Sequence, residues 1–247
     1  MDRALYVAAS GAAETLRQQA VNSNNIANAG TTGFRAQLLS SQAKAIQGPG
    51  LPTRVNAIGA DLGWDSSGGA MQTTGRDLDV ALRQDAWLAV QGADGSEAYT
   101  KAGDLQIDAT GQLRTAGGLA VLGDGGPITV PPASTLKIGG DGTITVQPQG
   151  QSAATLSAIG RLKVVTAKPE QLQRGTDGLM HAKNGVTLDP ASGQFLASGT
   201  LESSNVNLPE AMVQMISLSR QFEAQTKLMK ATEDNASAAS TITRLGS

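Results

Sequence analysis

The stretch that decides the fold is DRALYVAASGAAETLRQQAVNSNNIAN, residues 2–28. Its apolar and small residues recur in steps of three and four, which is the spacing of one face of an α-helix. The residues on this stripe are Leu5, Ala9, Ala12, Leu16, Gln19, Ser23 and Ile26. We therefore predict a helix over residues 2–28 that ends before Gly30, a residue suited to a left-handed cap.

The remaining faces of this predicted helix carry almost no charge. No charged residue lies between Arg17 and Arg35, where amides such as Gln18, Asn22 and Asn25 are frequent. A solvated helix usually carries charged side chains, whereas hydrogen-bonded amides can be buried at much lower cost than charges. We expect the amide face to be buried against several neighbours; an ordinary surface rich in Asn and Gln is the alternative.

A second long helix is predicted near the C-terminus, over about residues 208–244. Asn207 and Glu210 form an Asn-x-x-Glu start that resembles a capping box. The stripe then runs through Leu208, Ala211, Met215, Leu218, Phe222 and Met229, with polar Gln225 between the last two. Neither terminal helix has a neighbour in sequence, so we expect them to pack antiparallel on each other as a coiled-coil-like domain of residues 1–35 and 205–247.

The middle of the chain has the sequence pattern of short strands. Apolar runs such as Leu78–Leu82 and Trp87–Val90 are separated by turn dipeptides, Asp94-Gly95 among them. This pattern predicts an antiparallel β domain over residues 75–204, joined to the first helix by an extended connector, residues 36–74, with little helix or strand. The fold class is thus α+β, with paired terminal helices and an inserted antiparallel β domain.

The composition of the 247-residue chain argues against several kinds of function. Nineteen Lys and Arg against 21 Asp and Glu give a net charge of −2, and only 3% of residues are aromatic, which argues against nucleic-acid binding. The absence of cysteine excludes disulfides and thiolate metal sites. Apolar runs reach only about six residues, far short of the ~20 of a membrane-spanning helix. The N-terminus also lacks the positive excess of a cleaved signal peptide.

No catalytic or metal centre is indicated by the sequence. The one histidine, His181, lies in a turn-rich stretch where we expect it to be exposed. Asp77 and Asp79 alternate on one strand face and could form a carboxylate pair, but solvated strand residues are the better interpretation. We therefore expect no enzymatic activity and no cofactor.

Several segments of the chain resemble the bacterial flagellar rod and hook protein family. These segments are NNIANAGTTGFR (24–35), LDVAL (78–82), WLAV (87–90), YTKAGD (99–104) and LESSNVN (201–207). They follow the order of the family's own motifs, with mild departures at Lys101 and Phe222, where the family usually has Arg and Tyr. The opening MDRALY and Trp87 are most similar to the proximal-rod members.

The resemblance implies a structural subunit of the flagellar basal-body rod. Members of the family assemble with homologous rod subunits and with copies of themselves into a helical tube that crosses the periplasm and transmits torque. The resemblance also implies contact with the flagellar export apparatus, export without a cleaved signal peptide, and no direct membrane insertion. A distal-rod or hook subunit of the same family is the alternative.

Two more distant alternatives belong to other classes. A secreted β-rich carbohydrate-binding module would need exposed aromatic side chains, which are scarce in this chain. A membrane-surface protein would need Lys and Arg along the polar face of the first helix, where only Arg3 and Arg17 occur.

Periodicity and resemblance together assign subunit contacts to both terminal helices and to the segment after the first helix. The assigned residues are Leu5, Ala9, Ala12, Leu16, Asn22, Asn25, Ile26, Asn28, Gly33, Phe34, Met215, Leu218, Phe222 and Met229. Phe34, one of three phenylalanines, is expected to anchor the connector against the helix pair.

Overall fold

The computed structural model describes residues 2–45, 55–83, 85–148 and 156–245. The chain forms two compact units, each built from segments that are distant in sequence. The helical unit comprises Met1–Ala27, Gln37–Trp64 and Val206–Ser247. The β unit comprises Asn28–Ala36 and Asp65–Asn205.

Two long helices dominate the helical unit. They are α1 (Asp2–Ala27) and α2 (Leu208–Leu245), and both lie where the sequence pattern predicts them. Side-chain hydrogen bonds between described residues join them: Asn22 to Ala211, Gln19 to Ser219 and Thr15 to Gln225. Because the partners on α2 advance along the chain as those on α1 go back, the two helices are antiparallel. At 1.5 Å per residue the 38 residues of α2 span about 57 Å.

The segment after α1 is a β-hairpin, so the expectation of a strand-poor connector over residues 36–74 is wrong. Strands β1 (Gln37–Ala45) and β2 (Val55–Trp64) pair antiparallel along their whole length, with one irregularity at Leu38 and Leu39. β1 is mostly exposed and rich in Ser, Gln and Ala, so its sequence shows no alternation of buried and exposed residues. Pairing between strands, rather than local pattern, decides this element.

The β unit contains the remaining strands and one short 3₁₀ helix, Pro169–Gln171. The strands are β3 (Met71–Thr73), β4 (Val80–Leu82), β5 (Ala86–Gln91), β6 (Glu97–Thr100), β7 (Leu105–Ile107), β8 (Leu113–Thr115), β9 (Leu122–Gly123), β10 (Gly126–Pro127), β11 (Ala133–Ile138), β12 (Thr143–Pro148), β13 (Ser157–Arg161), β14 (Val164–Thr166), β15 (Leu172–Arg174), β16 (Met180–Ala182), β17 (Asp189–Pro190), β18 (Leu196–Ser198) and β19 (Thr200–Glu202).

The strands of the β unit form small antiparallel sheets, as the turn-rich sequence predicts. The largest sheet has six strands in the order β15-β16-β6-β5-β14-β17, and a second has the order β11-β12-β13. The other strands pair in twos, with β3 against β19 and β4 against β18. Each of these two pairs joins a strand that precedes the central sheet to one that follows it in sequence.

An aliphatic core lies between the strands of the β unit. Its largest fully buried apolar side chains are Leu82, Leu88, Leu105, Leu113, Ile144 and Leu162. Branched aliphatic side chains suit short twisted strands because they pack closely on a pleated surface. The core therefore gives the loops and motif segments of this unit a rigid support.

Candidate functional site: the motif junction and the helix surfaces

Two signature segments from opposite ends of the chain meet at a buried ion pair. Arg35 Nη2 lies 2.7 Å from Glu202 Oε1, and both side chains are at most 2% exposed. The same Glu202 oxygen accepts a hydrogen bond from Gly69 N at 2.9 Å, while Glu202 O accepts one from Gly33 N at 2.8 Å. We call the cluster of Gly33, Phe34, Arg35, Glu202 and Asn205 the motif junction. Charge-assisted hydrogen bonds between buried groups are strong, and loss of either partner strands the other.

Asn205 ties the two segments of the motif junction together. Its Oδ1 accepts a hydrogen bond from Ala36 N at 2.7 Å, and its own N donates to Phe34 O at 3.3 Å. Its Nδ2 donates to Asp65 O at 3.2 Å and to Ser67 O at 3.0 Å. A side-chain amide can accept and donate at once, and Asn205 uses both ends. The segment that follows α1 and the segment that precedes α2 are thus fixed to each other.

The central signature block reaches the motif junction through Lys101. Gly33 has a φ of +67°, and a Cβ at this position would lie 2.3 Å from Lys101 O, so only glycine fits. Lys101 Nζ donates to Arg83 O at 2.6 Å and lies 5.0 Å from the centre of the Trp87 ring. Residues from the first, central and last signature blocks are therefore in contact within the β unit.

Two further cations of the junction region are held away from water. Burial is the main cause that lowers the pKa of Lys101, to about 8, while nearby Glu202 acts in the opposite direction. Burial also lowers the pKa of Arg174, whose guanidinium lies 4.5 Å from the centre of the Phe34 ring. Arg174 Nη1 donates to Arg35 O at 3.1 Å. The buried ring of Phe34 is thus packed by Arg174.

Two polar residues that the sequence assigns to solvent are held in place by partners in the β unit. Asp79 is buried, accepts a hydrogen bond from Thr74 Oγ1 at 2.6 Å and pairs with Arg76 Nη2 at 2.8 Å. His181 is half-buried in β16, with Nε2 3.0 Å from Asp177 Oδ2. The expectations of a solvated Asp79 and an exposed loop His181 are therefore wrong, because both side chains have polar partners close in sequence that strand and turn spacing does not reveal.

Two amides of α1, Asn22 and Asn25, have hydrogen-bond partners within the chain itself. Asn22 is buried and donates through Nδ2 to Ala211 O at 2.7 Å. Asn25 is half-buried and bonds Gln37 twice, with Nδ2 donating to its O at 3.0 Å and Oδ1 accepting from its N at 2.9 Å. These two amides thus have hydrogen-bond partners inside one subunit. In the β unit, Asn28 Oδ1 accepts from Thr31 Oγ1 at 3.2 Å.

The other residues assigned to subunit contacts differ in exposure. Buried are Ala12, Gly33, Phe34 and Leu218; half-buried are Ile26, Met215, Phe222 and Met229; exposed are Leu5, Ala9 and Leu16. On the α2 stripe Leu218 is buried, but Leu208 at its start is exposed. On the α1 stripe Ala12 is buried, together with Ala8 and Thr15 from neighbouring positions. Small residues allow close approach here: a Cβ on Gly11 would lie 3.0 Å from Gln225 Nε2 on α2.

A second set of apolar side chains is uncovered on both helices and lies outside the assigned contact residues. Its members are Tyr6, Val7, Met212, Val213, Ile216 and Leu228. Tyr6 is 71% exposed, Ile216 is 56% exposed, and on the assigned stripe Leu16 is 48% exposed. The four-residue step from Met212 to Ile216, beside the buried stripe, is the sequence signal for this second face. These side chains are large, apolar and accessible to solvent in the single chain.

Two kinds of site are absent from the described residues. Within the part of the chain that the structure describes, no three His, Asp or Glu side chains come together in a way that could hold a metal ion. Neither described helix combines the length and the apolar character that crossing a bilayer requires. The notable features are therefore the motif junction and the uncovered helix faces.

The chain matches three protein families in the same order as its motifs. Residues 5–35 match "Flagella basal body rod protein", residues 81–146 match "Flagellar hook protein FlgE/F/G D1 domain", and residues 197–242 match "Flagellar basal body rod FlgEFG protein C-terminal". The motif junction lies in and close to these matched regions. Gly33 and Arg35 are in the first, Lys101 in the second, and Glu202 in the third.

Three curated proteins are similar to the chain over nearly its whole length. Flagellar basal-body rod protein FlgF of Escherichia coli strain K12 is 46% identical and covers 98% of each chain. FlgF of Salmonella typhimurium strain LT2 is 44% identical and covers 95% of this chain and 96% of its own. Flagellar basal-body rod protein FlgG of Bacillus subtilis strain 168 is 31% identical, with coverage of 95% and 96%.

Proposed function

Because the chain belongs to the FlgF family of flagellar basal-body rod proteins, we propose that it works as a structural subunit of the proximal rod. In this role it polymerises with homologous rod subunits and with itself into a helical tube, and the tube transmits torque across the periplasm. No chemical step is involved. The higher identity to FlgF than to FlgG favours the proximal rod over the distal-rod alternative.

The observation that carries this proposal is the uncovered apolar surface of α1 and α2. Leu5 and Leu16 on α1, and Met212, Val213 and Ile216 on α2, are all exposed although they are large and apolar. A free globular protein would bury such side chains or replace them with charged ones. In a tube of close-packed subunits, neighbouring helices cover them, in a coiled-coil-like arrangement between chains.

Close packing also accounts for the mechanical role. Twisting a tube of interdigitated helices requires many contacts to break together, and interiors packed at this density deform little. Contacts between different faces of identical subunits extend a helix without closing it into a ring. The motif junction supports the same role, since Arg35–Glu202 and Asn205 clamp the segment after α1 to the segment before α2.

The proposal includes delivery of the subunit through the flagellar export apparatus, with the α1 segment retained. The residues from Leu5 to Leu16 form part of the helix itself, so cleavage after them would remove the first half of α1. Retention of this segment preserves both the buried Ala12 and the uncovered Leu16.

The test is an assembly assay with a substitution on the uncovered face. Ile216→Glu places a charge where a neighbouring helix is proposed to pack, so it should block incorporation into basal bodies and abolish swimming in a host that lacks its own proximal-rod subunit. Gln221→Glu, at another exposed position of α2, is the matched control and should assemble normally. Both variants should melt like the unmodified monomer. Normal incorporation of Ile216→Glu would contradict the proposal.

A further inference from the structure

The β unit contains the one Asn-Gly dipeptide of the chain, Asn184-Gly185. The dipeptide lies in the connection between β16 and β17, and both of its residues are exposed. A hydrogen bond from Val186 N to Lys183 O, 3.0 Å long, closes a turn around it. The φ of Asn184 is negative and that of Gly185 is +80°, which are the signs of a type II turn. The Asn184 amide and the peptide nitrogen after it are thus both accessible to water.

Neither of these two groups is engaged in the fold. Within the described residues the side-chain amide of Asn184 has no hydrogen-bond partner, and Gly185 N donates to no acceptor. Asn205, the asparagine of the motif junction, differs on both counts. Its Oδ1 accepts from Ala36 N and its Nδ2 donates to Asp65 O, while its following residue is the branched Val206. The surroundings therefore restrain the amide of Asn205 and leave that of Asn184 unrestrained.

Glycine at position 185 leaves the peptide nitrogen unshielded. Any other residue there would place a Cβ beside this nitrogen and hinder its approach to a neighbouring carbon. No atom outside the turn covers it either, since a Cβ built on Gly185 would have nothing within 4 Å. Gly185 N and Asn184 Cγ belong to adjacent residues, so a bond between them closes a five-membered ring, an intramolecular reaction that proximity favours.

From these observations we propose that Asn184 is a site of spontaneous modification, at which water converts the asparagine to aspartate or isoaspartate. Gly185 N gives up its proton and bonds to Asn184 Cγ, the Cγ–Nδ2 bond breaks, and Nδ2 leaves as ammonia with that proton. Water then opens the cyclic imide. Cleavage between the imide nitrogen and Cγ gives aspartate, whereas cleavage between this nitrogen and the Asn184 carbonyl carbon gives isoaspartate. The reaction consumes water, releases ammonia and involves no oxidation or reduction.

Each conversion adds a negative charge to an exposed turn of the six-stranded sheet. The aspartate product should leave the stability of the β unit unchanged, because the side chain at this position is exposed. In the isoaspartate product the main chain runs through Cγ, which lengthens the turn that the Lys183–Val186 hydrogen bond closes. This inference concerns the β unit alone and does not depend on the proposed function.

The experiment follows the purified full chain over time at mildly alkaline pH, with peptide mapping by mass spectrometry. The protease should not cleave after Lys183, so that Asn184 stays inside its peptide. Loss of the Asn184 amide should exceed loss of the Asn205 amide in the same sample about ten-fold or more, with both aspartate and isoaspartate formed. The rate should rise with pH, because Gly185 N must lose its proton before it attacks. An Asn184 amide that is no more reactive than that of Asn205 would overturn the proposal.

Gly185→Ala and Gly178→Ala form a matched pair of variants. Both glycines are exposed, have φ values of +80° and +81°, and leave open space for a Cβ, so both substitutions strain a turn alike. Only the first shields the attacking nitrogen. Gly185→Ala should therefore slow the loss of the Asn184 amide about ten-fold, whereas Gly178→Ala should leave the rate unchanged. Equal rates in Gly185→Ala and the unmodified chain would overturn the proposal, because Gly185 N would then not be the attacking group.

Discussion

Arg35 and Glu202, which are 167 positions apart in sequence, form a buried ion pair with a separation of 2.7 Å. The pair belongs to the first and last signature segments of the chain, and Lys101 of the central block contacts Gly33 beside it. The motifs of the family are thus parts of one contact region in the β unit. Their residue types depend on one another because each supplies a charge, a hydrogen-bonding group or the absence of a side chain to the others.

Breaking the ion pair should destabilise the β unit. Arg35→Met leaves Glu202 buried without its cation, so we expect a loss of about 3–5 kcal/mol in the free energy of unfolding. Urea unfolding followed by near-ultraviolet circular dichroism measures this loss. The control is Arg83→Ala, which removes an exposed ion pair with Asp85 and should leave the urea midpoint nearly unchanged. Similar urea midpoints for the two variants would show that the buried Arg35–Glu202 pair contributes no more to stability than the exposed Arg83–Asp85 pair.

Gly33 should tolerate no side chain. Its φ of +67° disfavours any L residue, and the added Cβ of Gly33→Ala would lie 2.3 Å from the backbone oxygen of Lys101, so we expect a loss above about 3 kcal/mol. Gly118→Ala is the matched control, since Gly118 has a φ of +83° with open space around it. That change should cost about 1–2 kcal/mol, from backbone conformation alone. The difference between the stability losses of Gly33→Ala and Gly118→Ala, read from their melting curves, measures the cost of the steric clash at Gly33. Equal losses would contradict such a clash.

The buried ammonium of Lys101 should make stability rise with pH in the alkaline range. Burial lowers its pKa in the folded chain to about 8, below the 10.5 of a free lysine, so the unfolded state binds more protons between these values. The penalty of burying the charge is present in full below pH 8 and is relieved as the pH rises through this window. We expect a gain of about 1–3 kcal/mol in unfolding free energy between pH 8 and pH 10.

Comparison with Lys101→Met isolates the contribution of Lys101 to the pH dependence. The variant has no ammonium proton to release, so its unfolding free energy should rise less between pH 8 and pH 10. Measurements should stop at pH 10. Burial raises the pKa of Tyr99 to about 12, so above pH 10 ionisation of this tyrosine in the unfolded chain lowers stability and masks the lysine. Parallel pH profiles for the two proteins would contradict the assignment to Lys101.

The sequence predicts those parts of the fold that repeat a local pattern. The three- and four-residue spacing on α2 correctly marks Ala211 and Leu218 as buried, because one helix face is set by the sequence of that helix alone. The same rule places Leu5 and Leu16 on a stripe of α1, but it cannot say which partner covers that stripe. Within the subunit Ala12 of that stripe is buried together with the neighbouring Ala8, since small side chains allow the helices to approach closely.

Long-range pairing and charge burial have no such local signal. The strands β1 and β2 are held by their register with each other and by α1, and their Ser-, Ala- and Gly-containing sequence does not alternate. The partner of Arg35 lies 167 positions away, and the motif resemblance names both residues without indicating that they touch. The Glu14 carboxylate on α1 is buried against Gly59 of β2, a relationship that requires the hairpin to be known first.

The last prediction concerns Asn25, for which the sequence and the structure lead to different results. If Asn25 is buried only between subunits, as its uncharged surroundings suggest, Asn25→Lys leaves the melting temperature of the monomer unchanged and blocks assembly. In the structure its side chain both accepts from and donates to the backbone of Gln37, and a lysine cannot accept. We therefore expect Asn25→Lys to lower the monomer's melting temperature by about 2–6 °C and to reduce the hydrogen-exchange protection of residues 37–45.

Ser23→Lys, at an exposed position of α1, is the control and should change neither the melting temperature nor the protection. A monomer that melts normally but fails to enter the rod would return Asn25 to the subunit interface, whereas a destabilised monomer places its main role in holding the hairpin.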